Sequence, residues 1–177
     1  MSDIQIQLPE GKVVIDKKND NFHIKLEPSK KTYILQYECN TSYTIELINK
    51  IIEIKGFGAL CDDIKRDQLY SYIQKPLENV ILSHFEKSEF KGKRILDFGC
   101  GAGNSTVILG RMFQYSQIVG VELSEKLLEL AEKRKQFYNL TNVFFTPSKS
   151  ETELPDNLGN FDFVILNAVY EHLLPRE

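Results

Sequence analysis

The sequence predicts an α/β protein, a doubly wound parallel sheet preceded by a small β-meander and a helical segment. Three observations predict it. Residues 91–177 alternate short apolar runs with amphipathic stretches, the pattern of parallel strands joined by helices. The first of those runs, Arg94 to Phe98, stops in the glycine-rich turn Gly99-Cys100-Gly101-Ala102-Gly103 and feeds a helix-like stretch. Residues 1–41 instead alternate apolar and polar side chains with period two.

Within residues 1–41, Ile4, Ile6 and Leu8 alternate with polar neighbours, as do Phe22, Ile24 and Leu26. Between Val13-Val14-Ile15 and Phe22 lies Asp-Lys-Lys-Asn-Asp-Asn, a hairpin turn by composition. Thr32 to Tyr37 has the β-branched and aromatic content of a further strand. Residues 42–90 read as helices. Ile45, Ile48 and Ile52 recur at spacings of three and four, Leu47 and Ile51 widen the face, and Gly56 stands where a C-cap belongs. Leu69, Tyr72, Ile73, Leu77, Val80, Ile81 and Phe85 form a second stripe, with His84 on it as a packed or rim histidine. Pro76 interrupts this stripe and reads as the first turn of a new helix, with Ile73 ending the one before.

Residues 91–177 give strand Arg94–Phe98, a helix from Asn104 to Phe113 and strand Gln117–Val121. Ser124 then reads as the N-cap of a helix to about Tyr138, with Leu127, Leu128 and Ala131 facing in and Glu125 in the first turn. Strand Asn142–Thr146, a linker with Leu154-Pro155 and Gly159, and strand Phe161–Asn167 follow. The expected divisions are a β-rich appendage at 1–41, a helical segment at 42–90 and the sheet core at 91–177.

Composition narrows the function classes. A chain of 177 residues, 42% hydrophobic and 27% charged, fits one soluble globular domain with an appendage. A net charge of −3 argues against nucleic acid or an anionic membrane as the main partner. No apolar run approaches the roughly 20 residues that span a bilayer. Cys39, Cys61 and Cys100 are odd in number, lie far apart and include no Cys-x-x-Cys pair. With no signal-peptide pattern at the N-terminus, they predict reduced thiols in the cytoplasm. His23, His84 and His172 show no ligand spacing, so no metal site is expected.

The glycine turn points to chemistry. A strand that stops in such a turn leaves unpaired N–H groups at the start of the next helix, which favour an anionic group, and glycines let a ligand approach the backbone. A nicotinamide dinucleotide fingerprint needs Gly-x-Gly-x-x-Gly. Here the register is Gly-x-Gly-x-Gly, Asn104 stands where the third dinucleotide glycine would be, and Asp97 lies two positions before the first glycine. Both features point away from a pyrophosphate site.

The stretch Ile95 to Gly103, Ile-Leu-Asp-Phe-Gly-Cys-Gly-Ala-Gly, resembles motif I of the class I S-adenosylmethionine-dependent methyltransferases. Val119-Gly120-Val121-Glu122-Leu123-Ser124 resembles their motif II, and Phe161 to Leu173 is similar to their motif IV and the segment after it. The likeness covers residues 94–173, with all three motifs in order, and is nearest to the broad group of bacterial small-molecule methyltransferases. It implies a Rossmann-like sheet and S-adenosyl-L-methionine as cofactor. Gly99, Cys100, Gly101 and Gly103 would bring backbone close to the methionine moiety, and Asp97 would sit near its ammonium. Glu122 would accept hydrogen bonds from both ribose hydroxyls. Leu123 would pack on the adenine, Ser148 would lie at the adenine edge in place of the family's usual Asp, and Asn167 to Val169 would line the mouth below the methyl.

Each residue has a plainer reading. Asp97 could be a turn-former, Glu122 a solvated charge at a helix start, and Cys100 a space-filler with no base beside it. The implied reaction is in-line methyl transfer to a small-molecule acceptor, releasing S-adenosylhomocysteine. No base is fixed by the sequence; Tyr170, Glu171 and His172 are candidates at the fourth strand, and Tyr70, Tyr72 and Arg66 in the helices ahead of the glycine turn. The family's sheet has seven strands and four are found here, which predicts a fragment, or a chain that completes its sheet in an oligomer. An NAD-dependent oxidoreductase and a non-catalytic cofactor-binding or interaction protein remain the alternatives.

Overall fold

In the computed structural model, residues 4–29, 36–150 and 153–167 are described. The chain divides into two compact units, Met1–Lys65 and Arg66–Glu177. The meander thus shares its unit with the first helix and most of the second, and the rest of the helical segment belongs with the sheet core.

The first unit holds an antiparallel sheet of strands β1 (Ile4–Leu8), β2 (Gly11–Lys18), β3 (Asn21–Pro28) and β4 (Glu38–Thr41), in sequence order. Period two works as expected on β2 and β3: Val13, Ile15, Ile24 and Leu26 are buried, and their neighbours Lys12, Asp16 and Lys25 are not. The hairpin turn is tighter than the sequence suggests. Lys18 pairs with Asn21, and Asn19 takes the positive φ that a two-residue turn requires. The expected strand Thr32–Tyr37 lies mostly outside the described residues; the fourth meander strand is Glu38–Thr41. Helix α1 (Ile45–Lys55) is capped by the Thr44 side chain, which accepts from Leu47 N–H, and stops at Gly56 as its isoleucine stripe predicts. Cys39 of β4 and Cys61 of α2 (Phe57–Gln68), far apart in sequence, share a thiol–thiol hydrogen bond that holds the Cys39 pKa up and the Cys61 pKa down.

The second unit is built on a parallel sheet in the order β7-β6-β5-β8, from β5 (Arg94–Phe98), β6 (Gln117–Glu122), β7 (Val143–Pro147) and β8 (Phe163–Ile165). Helices α4 (Asn104–Met112) and α5 (Glu125–Phe137) make the crossovers. The chain runs outward from β5 on one side and returns to its other side with β8, so the strand order reverses at β5, where open α/β sheets bind ligands.

One sheet face buries Ile95, Ile118, Val143 and Ile165 against Ile108, Leu109 and Phe113 of α4 and its cap, together with Ile73, Leu77, Leu82 and Phe90. The other carries Leu96, Val119 and Val121 under Phe98, Leu158 and Phe161. Each such side chain contributes about 1.5–3 kcal/mol on burial. Helix α4 sits hard against the sheet. A Cβ on Gly110 would lie 2.3 Å from Val143 Cγ2. The Asn142 side-chain nitrogen lies 3.0–3.1 Å from the carbonyls of Gly110, Phe113 and Ser116 and clamps the helix's far end.

Two expectations need correction here. The stripe from Leu69 to Phe85 is not one inward face. Ile73 and Leu77 are buried, but Leu69, Tyr72, Val80 and Phe85 are exposed, and so is His84. The preceding helix already ends at Gln68, and Ile73 is the N-cap of a short helix α3 (Gln74–Pro76) that continues as a π-turn, Leu77–Ile81. Widening to a π-turn breaks the i, i+3, i+4 register that the stripe assumed. Pro76 does fall in the first turn, where its missing N–H costs nothing. In α5, Leu127 and Leu128 are only half-buried, and Leu130, Ala131 and Arg134 face in.

Candidate functional site

The pleat of β5 sends Ile95 and Asp97 to the α4 face. Asp97 is buried, and its Oδ2 accepts the Thr106 hydroxyl proton at 2.6 Å. Burial pushes the Asp97 pKa up to about 6; the Thr106 bond works the other way.

The turn after β5 is stitched to β6. Gly99 N–H and Cys100 N–H both donate to the Val121 carbonyl, at 2.8 and 3.0 Å. Gly101 N–H donates to Glu122 Oε2 at 3.0 Å, and Ser124 N–H to Oε1 at 2.9 Å. The Glu122 carboxylate therefore ties the glycine turn to the start of α5. A carboxylate has about four lone-pair sites, so these two donors leave acceptor capacity on both oxygens.

Two glycines of the turn are required for different reasons. Gly101 (φ +54°) has nothing within 4 Å of where its Cβ would be, so a side chain there would enter open space. Gly103 (φ +80°) is pressed from behind: its Cβ would lie 2.8 Å from Ala131 Cβ and 2.9 Å from Phe145 Cζ. Both alanine variants carry the left-handed strain of about 1–2 kcal/mol. Gly103→Ala adds an overpacking cost of about 1–3 kcal/mol. In urea denaturation Gly103→Ala is therefore expected to lose clearly more stability than Gly101→Ala. In ligand titration Gly101→Ala is expected to lose affinity out of proportion to its stability. Equal stability losses would contradict this account of the turn.

Helix α4 begins at Asn104 with Gly103 as its N-cap, a residue with no side chain to cap the first N–H groups. Asn167, just past β8, donates its amide to Ser105 Oγ at 2.9 Å and joins the end of that strand to the helix start. The Asn104 amide donates to Asp67 Oδ1. Leu123 is 49% exposed beside Glu122, an apolar surface available to a flat ring.

Ser148 lies where expected, in the loop after β7, its N–H bonded to the Glu122 carbonyl at 2.9 Å. Its hydroxyl, however, points to the Ser150 and Glu153 carbonyls of its own loop, at 2.6 and 2.7 Å. Cys100 is a space-filler: a Cβ on Gly120 would lie 2.9 Å from its sulfur, and burial together with Asp97 and Glu122 pushes its thiol pKa well up. Tyr170, Glu171 and His172 lie outside the described residues. Tyr70 donates to Glu78 at 2.5 Å, a bond that raises its pKa and makes it a poor base. Arg66 lies over the Tyr72 ring at 6.0 Å.

Thr106, Ser105, Asp67 and Arg134 were not singled out from the sequence. Arg134 carries a signal that could have found it: it falls on the inward stripe of α5, three and four positions after Ala131 and Leu130.

The chain is similar to several known proteins. The sequence model of a family described as "Methyltransferase domain" matches residues 89–176. A malonyl-[acyl-carrier protein] O-methyltransferase of Bacillus cereus is 30% identical over 72% of this chain and 45% of its own length. A fatty-acid O-methyltransferase of Mycolicibacterium smegmatis is 30% identical over 51% of this chain and 31% of its own. The chain thus spans less than half the length of these relatives. Among solved structures, PKMT2 from Rickettsia typhi in complex with AdoHcy is 29% identical, with a TM-score of 0.42, over 47% of this chain and 16% of that one. Among the described residues no helix is long and apolar enough to cross a membrane. The family match falls on the stretch where the three motifs run in order along one parallel sheet, and the chain belongs to the class I S-adenosylmethionine-dependent methyltransferases.

Proposed function

We propose that this chain binds S-adenosylmethionine at the carboxyl ends of β5 and β6 and serves methyl transfer to an oxygen of a small or carrier-borne acyl acceptor. The observation that carries the reading is the Glu122 carboxylate. It holds Gly101 N–H and Ser124 N–H and keeps acceptor capacity on both oxygens for a ribose diol. The residues present fit the cofactor in two further ways. Among the described residues the space a Gly101 side chain would fill is open, and the N-cap of α4 is a glycine, with no side chain of its own to compete with a carboxylate.

When bound, the cofactor supplies a methyl group on a sulfonium, so the leaving group needs little help from the protein. The chain's residues bind and orient. Glu122 would hold the ribose, the α4 amides the carboxylate and ionised Asp97 the ammonium. Leu123 would shield the adenine. Asn167, fixed on Ser105, would border the mouth. The relatives from Bacillus cereus and Mycolicibacterium smegmatis are O-methyltransferases, and both carry acyl acceptors in their names. A carboxylate oxygen is already ionised near neutral pH and needs no base. That suits a site whose cysteine, Cys100, holds its proton tightly. The three cysteines are unbridged, and we assign the chain to the reducing cytoplasm.

Titration calorimetry with S-adenosylhomocysteine and with NADH tests the reading. The first is expected to bind and the second not. Because Asp97 must be ionised to attract the ammonium and its pKa is about 6, affinity should fall as pH drops through 6, by up to about tenfold per unit. Stability of the ligand-free fold runs the opposite way. With its folded pKa above the ordinary 3.8, Asp97 contributes most at low pH, and that contribution is lost as pH rises through about 6. Binding of NADH alone, or of neither compound, would overturn the assignment.

A further inference from the structure

The α4 start is held by something the methyltransferase motifs do not include. Asp67 is the penultimate residue of α2 and lies in the second unit with the sheet. Its side chain is fully buried, as is that of Arg134 on α5, and the two form an ion pair with Arg134 Nε 3.3 Å from Asp67 Oδ2. The other oxygen, Oδ1, accepts the Asn104 amide, and Arg111 Nη1 reaches the Asp67 carbonyl at 3.3 Å. Arg111 also lies over the Tyr138 ring, at 4.8 Å. One carboxylate thus joins α2, α4 and α5 through charged and amide groups away from water.

A buried ion pair contributes little net stability over an apolar packing of the same volume, because both charges lose their hydration. What this pair supplies is a fixed acceptor. Asn104 is the first residue of α4 and stands next to the uncapped N–H groups. An asparagine there, left free, samples several rotamers beside those groups. Donation to Asp67 holds the amide in one of them and anchors the first turn.

We propose that Asp67 is a positioning residue of the cofactor site: held by Arg134, it fixes Asn104 and thereby keeps the first turn of α4 placed for the carboxylate of the amino-acid tail. The proposal rests on the reading of the site given above. It makes a claim that general loosening of the fold does not. The effect should follow the tail and spare the nucleoside.

The experiment compares S-adenosylhomocysteine with 5′-methylthioadenosine, which has the adenosine and sulfur but no amino-acid tail, by calorimetry on the full chain. The variants are Asp67→Asn, Asn104→Ala and the two combined. Each single variant is expected to weaken S-adenosylhomocysteine about tenfold while 5′-methylthioadenosine changes by less than about twofold. The combined variant should be no weaker than the worse single, since both break one linkage. Asn104→Ala leaves the Asp67–Arg134 pair in place and carries the test if Asp67→Asn does not fold. Equal losses for both ligands, or losses that add, would overturn the role of Asp67. Unchanged affinities in variants of a chain that binds both ligands would overturn it as well, leaving the site intact. Wild-type chain that binds neither ligand overturns the reading of the site, and this role with it.

Discussion

Truncating Asp67 to alanine is expected to lower the unfolding free energy by about 3–5 kcal/mol, a large share of the 5–15 kcal/mol typical of a domain. The cost comes from what is left behind. Arg134 is 0% exposed, so without Asp67 its guanidinium stays buried with the Asp67 charge gone, and the Asn104 amide loses its acceptor. Arg134→Ala should cost a similar amount, by exposing the mirror-image problem. Replacing both charges at once, Asp67→Leu with Arg134→Met, should recover most of the loss, because an apolar pair of similar volume avoids two desolvation penalties. Urea denaturation of the three variants checks this. Losses below about 1 kcal/mol for either single variant would mean that the pair is hydrated in solution.

The second large effect is on binding. Glu122→Ala is expected to weaken S-adenosylhomocysteine by about 2–3 kcal/mol, some 30- to 150-fold in Kd, through two lost charge-assisted hydrogen bonds to the ribose. It should also destabilise the ligand-free chain by about 1–2 kcal/mol, since Gly101 N–H and Ser124 N–H both lose their acceptor. Glu122→Gln separates charge from shape. Its amide has one oxygen and one NH2 group, so one of the two backbone donors must face another donor. The glutamine variant should therefore bind weakly too, in spite of its size. Calorimetry together with ligand-free denaturation curves distinguishes the two losses. An unchanged Kd in Glu122→Ala would remove the ribose assignment.

The parts of the fold legible in the sequence are those with local causes. The β5 run, the glycine turn, the Ser124 cap and the Gly56 stop all sit where the residues put them, because a cap or a left-handed turn is decided within a few positions. The region 69–85 departs from its sequence pattern because the apolar spacing assumes an unbroken α-helix, whereas the chain widens into a π-turn at Leu77–Ile81 and turns out Val80 and Phe85. In the site, Asp97, Glu122, Asn167 and the glycines are brought together at one end of β5, β6 and β8. Ser148 lies beside them, but its hydroxyl turns to its own loop. Asp67 and Arg134 are not legible as a pair because each looks like an ordinary charge on its own helix. Only their shared burial, across elements about 70 positions apart, makes them a pair. The link between Cys39 and Cys61 was hidden for the same reason.

Helix α4 is anchored along its whole length. Asn142 grips its last carbonyls, Gly110 lets it lie flush on β7, Thr106 is tied to Asp97, and Asn104 and Ser105 are fixed at its head. A rod held this way moves only as a whole. Anything that lifts its tail by a fraction of an ångström, such as a methyl at Gly110, shifts the amides at its tip by a comparable amount. Residues a full helix length from the ligand thus set the aim of the groups that would receive it, and drift at the back of the sheet would be felt as miscalibration at the front.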